Sequence, residues 1–263
     1  MIAPGRARRP GVGVPQIEPP TEVELETCPF CEGREERTPP ETLALPEREP
    51  ADSPGWTVRV VPNLYPAFER QEVVVHSPRH VRSFAELEDA EVELVAEAWR
   101  RRIHDSGDGY VHALVNEGRL AGASLPHSHS QLVWMGARPP AVAAEDDSRL
   151  NETIAAATEI ERVDDVVAAA PAAARVPYET LIAPTDDRAA LENGLRLLRN
   201  VVRRLRAVEG PVPWNAWVHS ADRWHIELVP RLTVFAGIEL GAGIYVNTLA
   251  PEDAARALRD AAG

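Results

Sequence analysis

The chain repeats itself, and the repeat limits the folds open to it. Residues 129–133 read His-Ser-Gln-Leu-Val, residues 225–229 read His-Ile-Glu-Leu-Val, and the elements ahead of each run follow one order. In the first half, β-branched runs at 57–61 and 72–76 predict strands. A helix is expected over 85–103, where Leu87, Val92, Val95 and Trp99 recur at helical spacing and Arg100, Arg101 and Arg102 fill the last turn. A strand at 111–115 and a glycine-bearing loop then lead into the first histidine run. In the second half, apolar runs at 165–168 and 180–183 precede a stripe of Leu191, Leu195, Leu198, Val202 and Leu205 that stops at Gly210. A strand at 216–218 and the second histidine run follow, Pro78 and Pro184 end corresponding strands, and Pro251 opens a last helix over 251–260. The pattern predicts an α+β fold of tandem duplicated units, with antiparallel sheets and packed helices. The units are expected at 1–138 and 163–263, joined by a connector at 139–162.

A length of 263 residues allows one large core or two small ones. The net charge of −13 argues against a nucleic-acid partner, although a local basic pocket for a phosphorylated small molecule stays open. No apolar run approaches a membrane span and no secretory leader follows Met1, so a cytoplasmic enzyme without a membrane partner is expected. Prolines crowd the first fifty residues, so 1–25 and 35–54 are expected to run extended over the surface.

The first histidine run carries the chemistry. Imidazole is neutral near neutral pH and nucleophilic, as attack on phosphorus requires. Small residues in the loop at 116–124 let backbone N–H groups approach an anion, Ser124 adds a hydroxyl, and Gln131 adds an amide donor two residues beyond His129. In an extended segment, positions 127, 129 and 131 share one side. Taken alone, the histidines would also serve as polar residues on a strand edge. Cys28 and Cys31, the only two cysteines, are spaced for metal binding or for a redox pair.

Asn116, Gly118, Gly122, Ser124, His127, His129 and Gln131, followed by Trp134, resemble the active-site signature of the galactose-1-phosphate uridylyltransferase family, a branch of the histidine triad superfamily. The resemblance implies duplicated histidine-triad-like units and a ping-pong reaction through a covalent uridylyl-His129 intermediate. It implies that Gln131 and Ser124 hold the transferred phosphate, with Asn116, Gly118 and Gly122 among the substrate contacts. Ser128 stands where the family often has proline, a variant similar to its phosphorylase-like relatives.

The same resemblance implies a structural zinc on Cys28, Cys31, His80 and His127. It implies a second site at Glu179, His219, His225 and Glu227, a donor set that suits zinc or iron; ordinary structural histidines and surface carboxylates are the alternative there. Arg6 and Arg9, in a basic run that would otherwise read as a solvated tail, are implied to bind substrate phosphate across a homodimer interface. Asn63 is implied to contact the nucleoside, with Tyr65 or Phe68 against the base, and Glu239 to contact sugar hydroxyls. Leu64, Thr233 and Ile238 depart from residues of the uridylyltransferases.

The expected partners are therefore a nucleotide sugar and a sugar phosphate. The reading is a UDP-glucose–hexose-1-phosphate uridylyltransferase. The alternatives are an ADP-glucose phosphorylase, a dinucleoside polyphosphate phosphorylase or adenylyltransferase, a histidine-triad hydrolase, and an inactive zinc-stabilised nucleotide-binding module.

Overall fold

The computed structural model describes residues 1–8, 16–104, 109–186, 189–220 and 223–261. These form ten strands: β1 (Leu43–Leu45), β2 (Val58–Pro62), β3 (Gln71–Val75), β4 (Tyr110–Glu117), β5 (His129–Met135), β6 (Thr158–Val163), β7 (Val166–Ala170), β8 (Thr180–Pro184), β9 (Trp214–Ser220) and β10 (Trp224–Pro230). The α-helices are α1 (Glu22–Thr27), α2 (Asp89–His104), α3 (Pro140–Ala143), α4 (Asp147–Ala156), α5 (Leu191–Glu209), α6 (Gly237–Ala242) and α7 (Pro251–Asp260).

The strands join in the order β1-β2-β3-β5-β4-β9-β10-β8-β7-β6, every pair antiparallel. The halves of this order mirror one another about the β4–β9 pair. The separate sheets expected of the two units are thus one sheet. Pairing β4 with β9, from Ala113 opposite Val218 to Glu117 opposite Trp214, satisfies backbone groups that two free edges would expose.

Alternation along the strands decides which way the histidines face. Ser130 and Leu132 of β5 are fully buried toward α2, where Trp99 Nε1 donates to Ser130 Oγ at 2.8 Å, so His129 and Gln131 face the other side. In β10, Ile226 and Leu228 join the core under α5, turning His225 and Glu227 to that same side. The main core unites α2, α5 and α7 with one face of the sheet through Trp99, Trp214, Leu198, Val202 and Leu258. On the opposite face of the first unit, Cys28, Phe30 and Trp56 pack on Val61, Val73 and Val75. This second cluster seats the cysteine segment on β2 and β3, beside the strand that carries His129.

Three further expectations need correction. The helix expected from residue 85 starts at Asp89, after a 3-10 turn at Phe84–Glu86. Ser83 Oγ accepts from Ala85 N at 3.2 Å, Leu87 is extended, and the Glu91 carboxylate accepts from Glu88 N at 2.8 Å, which restarts the helix. The proline-rich stretch at 35–54 contributes edge strand β1, with Ala44 and Leu45 buried. It is held by Arg59, only 2% exposed, which pairs with Glu41 at 2.8 Å and with Asp52 and donates to Thr38 Oγ1 at 2.6 Å. Residues 139–162 carry α3, α4 and most of β6, whose polar alternation hid a sheet-edge strand.

Candidate active site and metal centres

β5 delivers His129 with one nitrogen already committed. His129 Nδ1 donates to the carbonyl of His127 at 2.7 Å, which leaves Nε2 as the lone-pair nitrogen; among the described residues Nε2 makes no hydrogen bond. Phe30 packs its ring against His129 at 5.4 Å, and the imidazole is 5% exposed. Burial lowers its pKa, so the ring stays neutral and nucleophilic.

The amides around it are oriented by residues the sequence did not single out. Gln71 Nε2 on β3 donates to Gln131 Oε1 at 2.6 Å, which turns the Gln131 NH2 group away from β3 as a donor. Asn215 Nδ2, from the second unit, donates to Asn116 Oδ1 and to the Ala121 carbonyl, each at 2.7 Å. Neither Gln71 nor Asn215 belongs to a motif; each is recognisable only from strand register. Gly118 (φ +83°) and Gly122 (φ +92°) take backbone conformations that a side chain would strain, and a Cβ at Gly118 would meet Ile17 and Pro213 at 3.0 Å. Ser124 lies exposed in the same loop. The central Ser128 is buried, and its hydroxyl bonds His76 Nδ1 at 2.9 Å.

The first metal cluster comes together with all four expected residues. Donor atoms of Cys28, Cys31, His80 and His127 lie within 4.8 Å of one another. Cys28 Sγ is 3.4 Å from His127 Nδ1, and Cys31 Sγ is 3.3 Å from His80 Nδ1 and 3.7 Å from His127 Nδ1. Tetrahedral zinc with ordinary bond lengths sets its sulfur and nitrogen ligands about 3.6 Å apart, so the cluster fits that ion. The outward nitrogens are held as metal-bound imidazoles require: His80 Nε2 by Glu24 at 2.8 Å and His127 Nε2 by the Ser77 carbonyl at 3.0 Å. Burial and the neighbouring Cys28 push the Cys31 thiol up to about 12, and burial with nearby imidazoles brings His127 down to about 3. A cation reverses the first effect by stabilising thiolate.

The second cluster differs from expectation by one ligand. His219, His225 and Glu227 converge with Glu145, not Glu179. His219 Nδ1 lies 2.5 Å from Glu145 Oε1, and His225 Nε2 lies 3.6 Å from it. Glu179 is instead tied up by Arg175, through its backbone N–H and through Nε at 2.7 Å. Burial alone would raise Glu227, but His225 and the Arg175 guanidinium hold it at about 2. Glu145 sits just after α3 in the stretch read as connector, where no periodicity or spacing marks it.

The remaining candidates make no hydrogen bond to His129 among the described residues, although Asn63 N donates to the carbonyl of Gln71 at 2.8 Å. Asn63 Oδ1 accepts from Tyr65 N at 2.9 Å, forming a turn that leaves Tyr65 and Phe68 exposed. Glu239 Oε2 caps α6 by accepting from Ala236 N at 2.9 Å; this bond, with further backbone N–H groups and Arg6 nearby, lowers its pKa. The segment before Arg6 is strapped to the C-terminal unit, Ala3 N to Asn247 O at 2.7 Å and Met1 N to Tyr245 O at 2.9 Å. Among the described residues, no hydrogen bond or ion pair joins Arg6 or Glu239 to the His129 loop. Arg9 lies outside the described residues. Among the described residues, no helix is long and apolar enough to cross a membrane.

A buried, neutral, singly committed histidine among amide donors, on a duplicated α+β scaffold, defines a nucleotidyltransferase-type enzyme. The comparisons bear this out. Residues 66–139 match the model for the galactose-1-phosphate uridyl transferase N-terminal domain. The chain is 28% identical to ADP-glucose phosphorylase of Arabidopsis thaliana over 99% of its own length and 89% of that protein's. It is 26% identical to galactose-1-phosphate uridylyltransferase of Streptomyces lividans, over 76% of this chain and 63% of that one. The crystal structure of the Arabidopsis thaliana ADP-glucose phosphorylase with bound ADP-glucose superposes with a TM-score of 0.84 at 26% identity, covering all of this chain and 95% of that one. The chain is thus similar to galactose-1-phosphate uridylyltransferase and to ADP-glucose phosphorylase, with the family model matched over residues 66–139.

Proposed function

We propose that the protein transfers the nucleotidyl group of a nucleotide sugar through His129, with ADP-glucose as donor and inorganic phosphate as acceptor. The observation that carries the mechanism is the single committed nitrogen of His129: with Nδ1 donating to the His127 carbonyl, Nε2 is fixed as the attacking atom. Nε2 attacks the α-phosphorus, the bond from that phosphorus to the bridging oxygen breaks, and glucose 1-phosphate leaves. A phosphate oxygen then attacks the same phosphorus, the P–N bond breaks, and ADP is released. The Gln131 amide and the loop N–H groups stabilise charge on the non-bridging oxygens in both steps. Asn116, Gly118, Gly122 and Ser124 complete this cradle, and Asn63, Arg6, Arg9 and Glu239 serve the nucleoside, phosphate and sugar.

The adenine choice is supported by the near full-length likeness to a protein named ADP-glucose phosphorylase. It also accords with the departures at Leu64, Thr233 and Ile238. A second reading, uridylyl transfer from UDP-glucose to a hexose 1-phosphate, is favoured by the family match and by the Streptomyces relative. Incubation with each labelled nucleotide sugar, with phosphate or galactose 1-phosphate as acceptor, decides between them. Label from ADP-glucose alone supports the phosphorylase, and label from UDP-glucose alone supports the uridylyltransferase.

The first cluster is proposed as structural zinc that ties the cysteine segment to the strand carrying His129. The second is proposed as zinc or iron on Glu145, His219, His225 and Glu227. Neither ion enters the reaction. A homodimer in the cytoplasm completes the proposal, with the basic arm at Arg6 reaching the partner's substrate. The two units are taken as 1–138 and 163–263.

A further inference from the structure

The strand registers relate the two units residue by residue. Setting His225 on His129 puts Glu227 on Gln131, and the β3–β5 and β8–β10 pairings then put Glu179 on Gln71. The β4–β5 and β9–β10 pairings put His219 on Asn116. The β4–β9 pair maps onto itself under the same exchange, with Leu114 opposite Trp217 at its centre. Even the borrowed residues correspond. Asn215 reaches from the second unit to Asn116, and His112 of the first unit lies 6.3 Å from His219 in the mirrored place.

The position that faces phosphate in the first unit therefore has a double in the second, and the double opens on a cavity. Glu145, His225 and Glu227, three of the four clustered side chains, form part of the wall of a space of about 330 Å³. That volume suits a small metabolite. Leu150, Pro171 and Leu181 supply an apolar side. Arginines and carboxylates on the wall are equal in number, four each, so a divalent cation in the cluster leaves its two positive charges to be balanced by an anion. Arg175 is committed to Glu179 and Glu227, whereas Arg149 pairs with Asp146 and Arg223 with Asn151, which leaves these two on the wall without an ion pair to a cluster carboxylate.

We propose that this cavity is a second ligand site, where a metal held by Glu145, His219, His225 and Glu227 receives the phosphate of a small phosphorylated molecule. Two imidazoles and two carboxylates leave zinc, iron or cobalt room for a further ligand, and the wall position of the cluster turns that vacancy to the cavity. The site binds and does not transfer, because His225, the counterpart of the nucleophile, has its Nε2 facing the carboxylates as a metal ligand.

Cobalt substitution tests this without reading activity. The thiolate site gives intense near-ultraviolet charge transfer and visible bands of its own, so protein loaded at that site alone supplies the baseline from which the weaker visible bands of the imidazole–carboxylate site are read. Inorganic phosphate added to the fully cobalt-loaded protein is expected to shift the visible bands saturably and leave the thiolate absorption unchanged. Arg149→Met with Arg223→Met is expected to weaken that binding about tenfold with cobalt content retained, and Leu150→Trp, which fills the cavity, to abolish it. AMP and glucose 1-phosphate serve as further arms, and the one that binds tighter than inorganic phosphate names the source of the phosphate group. Visible bands indifferent to phosphate with both sites loaded overturn the proposal. So does a shift of unchanged affinity in Leu150→Trp, or a protein that takes up only the thiolate-bound cobalt.

Discussion

Gln71 offers a sharp test, because its proposed work is done entirely through another side chain. Its Nε2 donates to Gln131 Oε1 at 2.6 Å, so the Gln131 NH2 is left for the phosphate. Gln71→Leu removes that bond, worth ~1 kcal/mol for a neutral pair, and the amide samples both orientations; nucleotidylation of His129 should slow about fivefold. Gln71→Glu goes further at nearly constant shape. A carboxylate only accepts, so Gln131 must turn its NH2 to residue 71 and its oxygen to the phosphate. Losing a donor aimed at developing charge costs about 10²–10³ in rate, so Gln71→Glu should be at least tenfold slower than Gln71→Leu. Quenched-flow measurement of acid-labile label on the protein reads this step alone, and thermal melts show that both variants remain folded. The reasoning fails if Gln71→Glu is no slower than Gln71→Leu. It fails equally if Gln71→Glu keeps its full effect in a Gln131→Leu background, since the new charge would then act without the amide.

Three further outcomes are expected. Cys28→Ser should remove one metal equivalent by elemental analysis and lower the melting temperature; unchanged metal content would refute the four-residue zinc site. Glu145→Gln should deplete the second metal while Glu179→Gln leaves its content near wild type, and the reverse order would reinstate Glu179 as the ligand. Burial holds the Glu117 carboxyl up at about 7, from 4.5, against the Phe84 N–H at 2.9 Å and the other bonds that favour its charge. Its folded pKa exceeds its unfolded one, so stability is full below about 4.5 and falls as pH rises through 7, by up to ~3 kcal/mol. Urea unfolding should show that Glu117→Gln loses less stability than wild type between pH 5 and 8, and parallel curves would contradict the buried acid.

Much of this was legible because the signals were local. Hydrophobic periodicity located α2 and α5, and the family resemblance carried by the contiguous loop and His-x-His-x-Gln run implied the group Cys28, Cys31, His80 and His127, whose donor atoms converge in the structure. What escaped was set by partners far away in sequence. β1 is fastened by a buried Arg59, β6 is an edge strand with little apolar content, and Glu145 meets His219 across 74 positions. Gln71 and Asn215 are ordinary polar residues until pairing sets them beside Gln131 and Asn116. Glu179 misled because the resemblance placed it by position along the chain alone, and only the structure shows Arg175 paired with it.

The central claim is that His129 Nε2 carries the nucleotidyl group. Brief incubation with ADP-glucose labelled at the α-phosphate, followed by alkaline digestion and peptide mapping, measures this directly. The account predicts stoichiometric, acid-labile adenylyl label on His129, absent in His129→Ala and discharged as ADP on adding phosphate. If His129→Ala turned over at the wild-type rate, or if the label appeared on another residue, the account would be wrong.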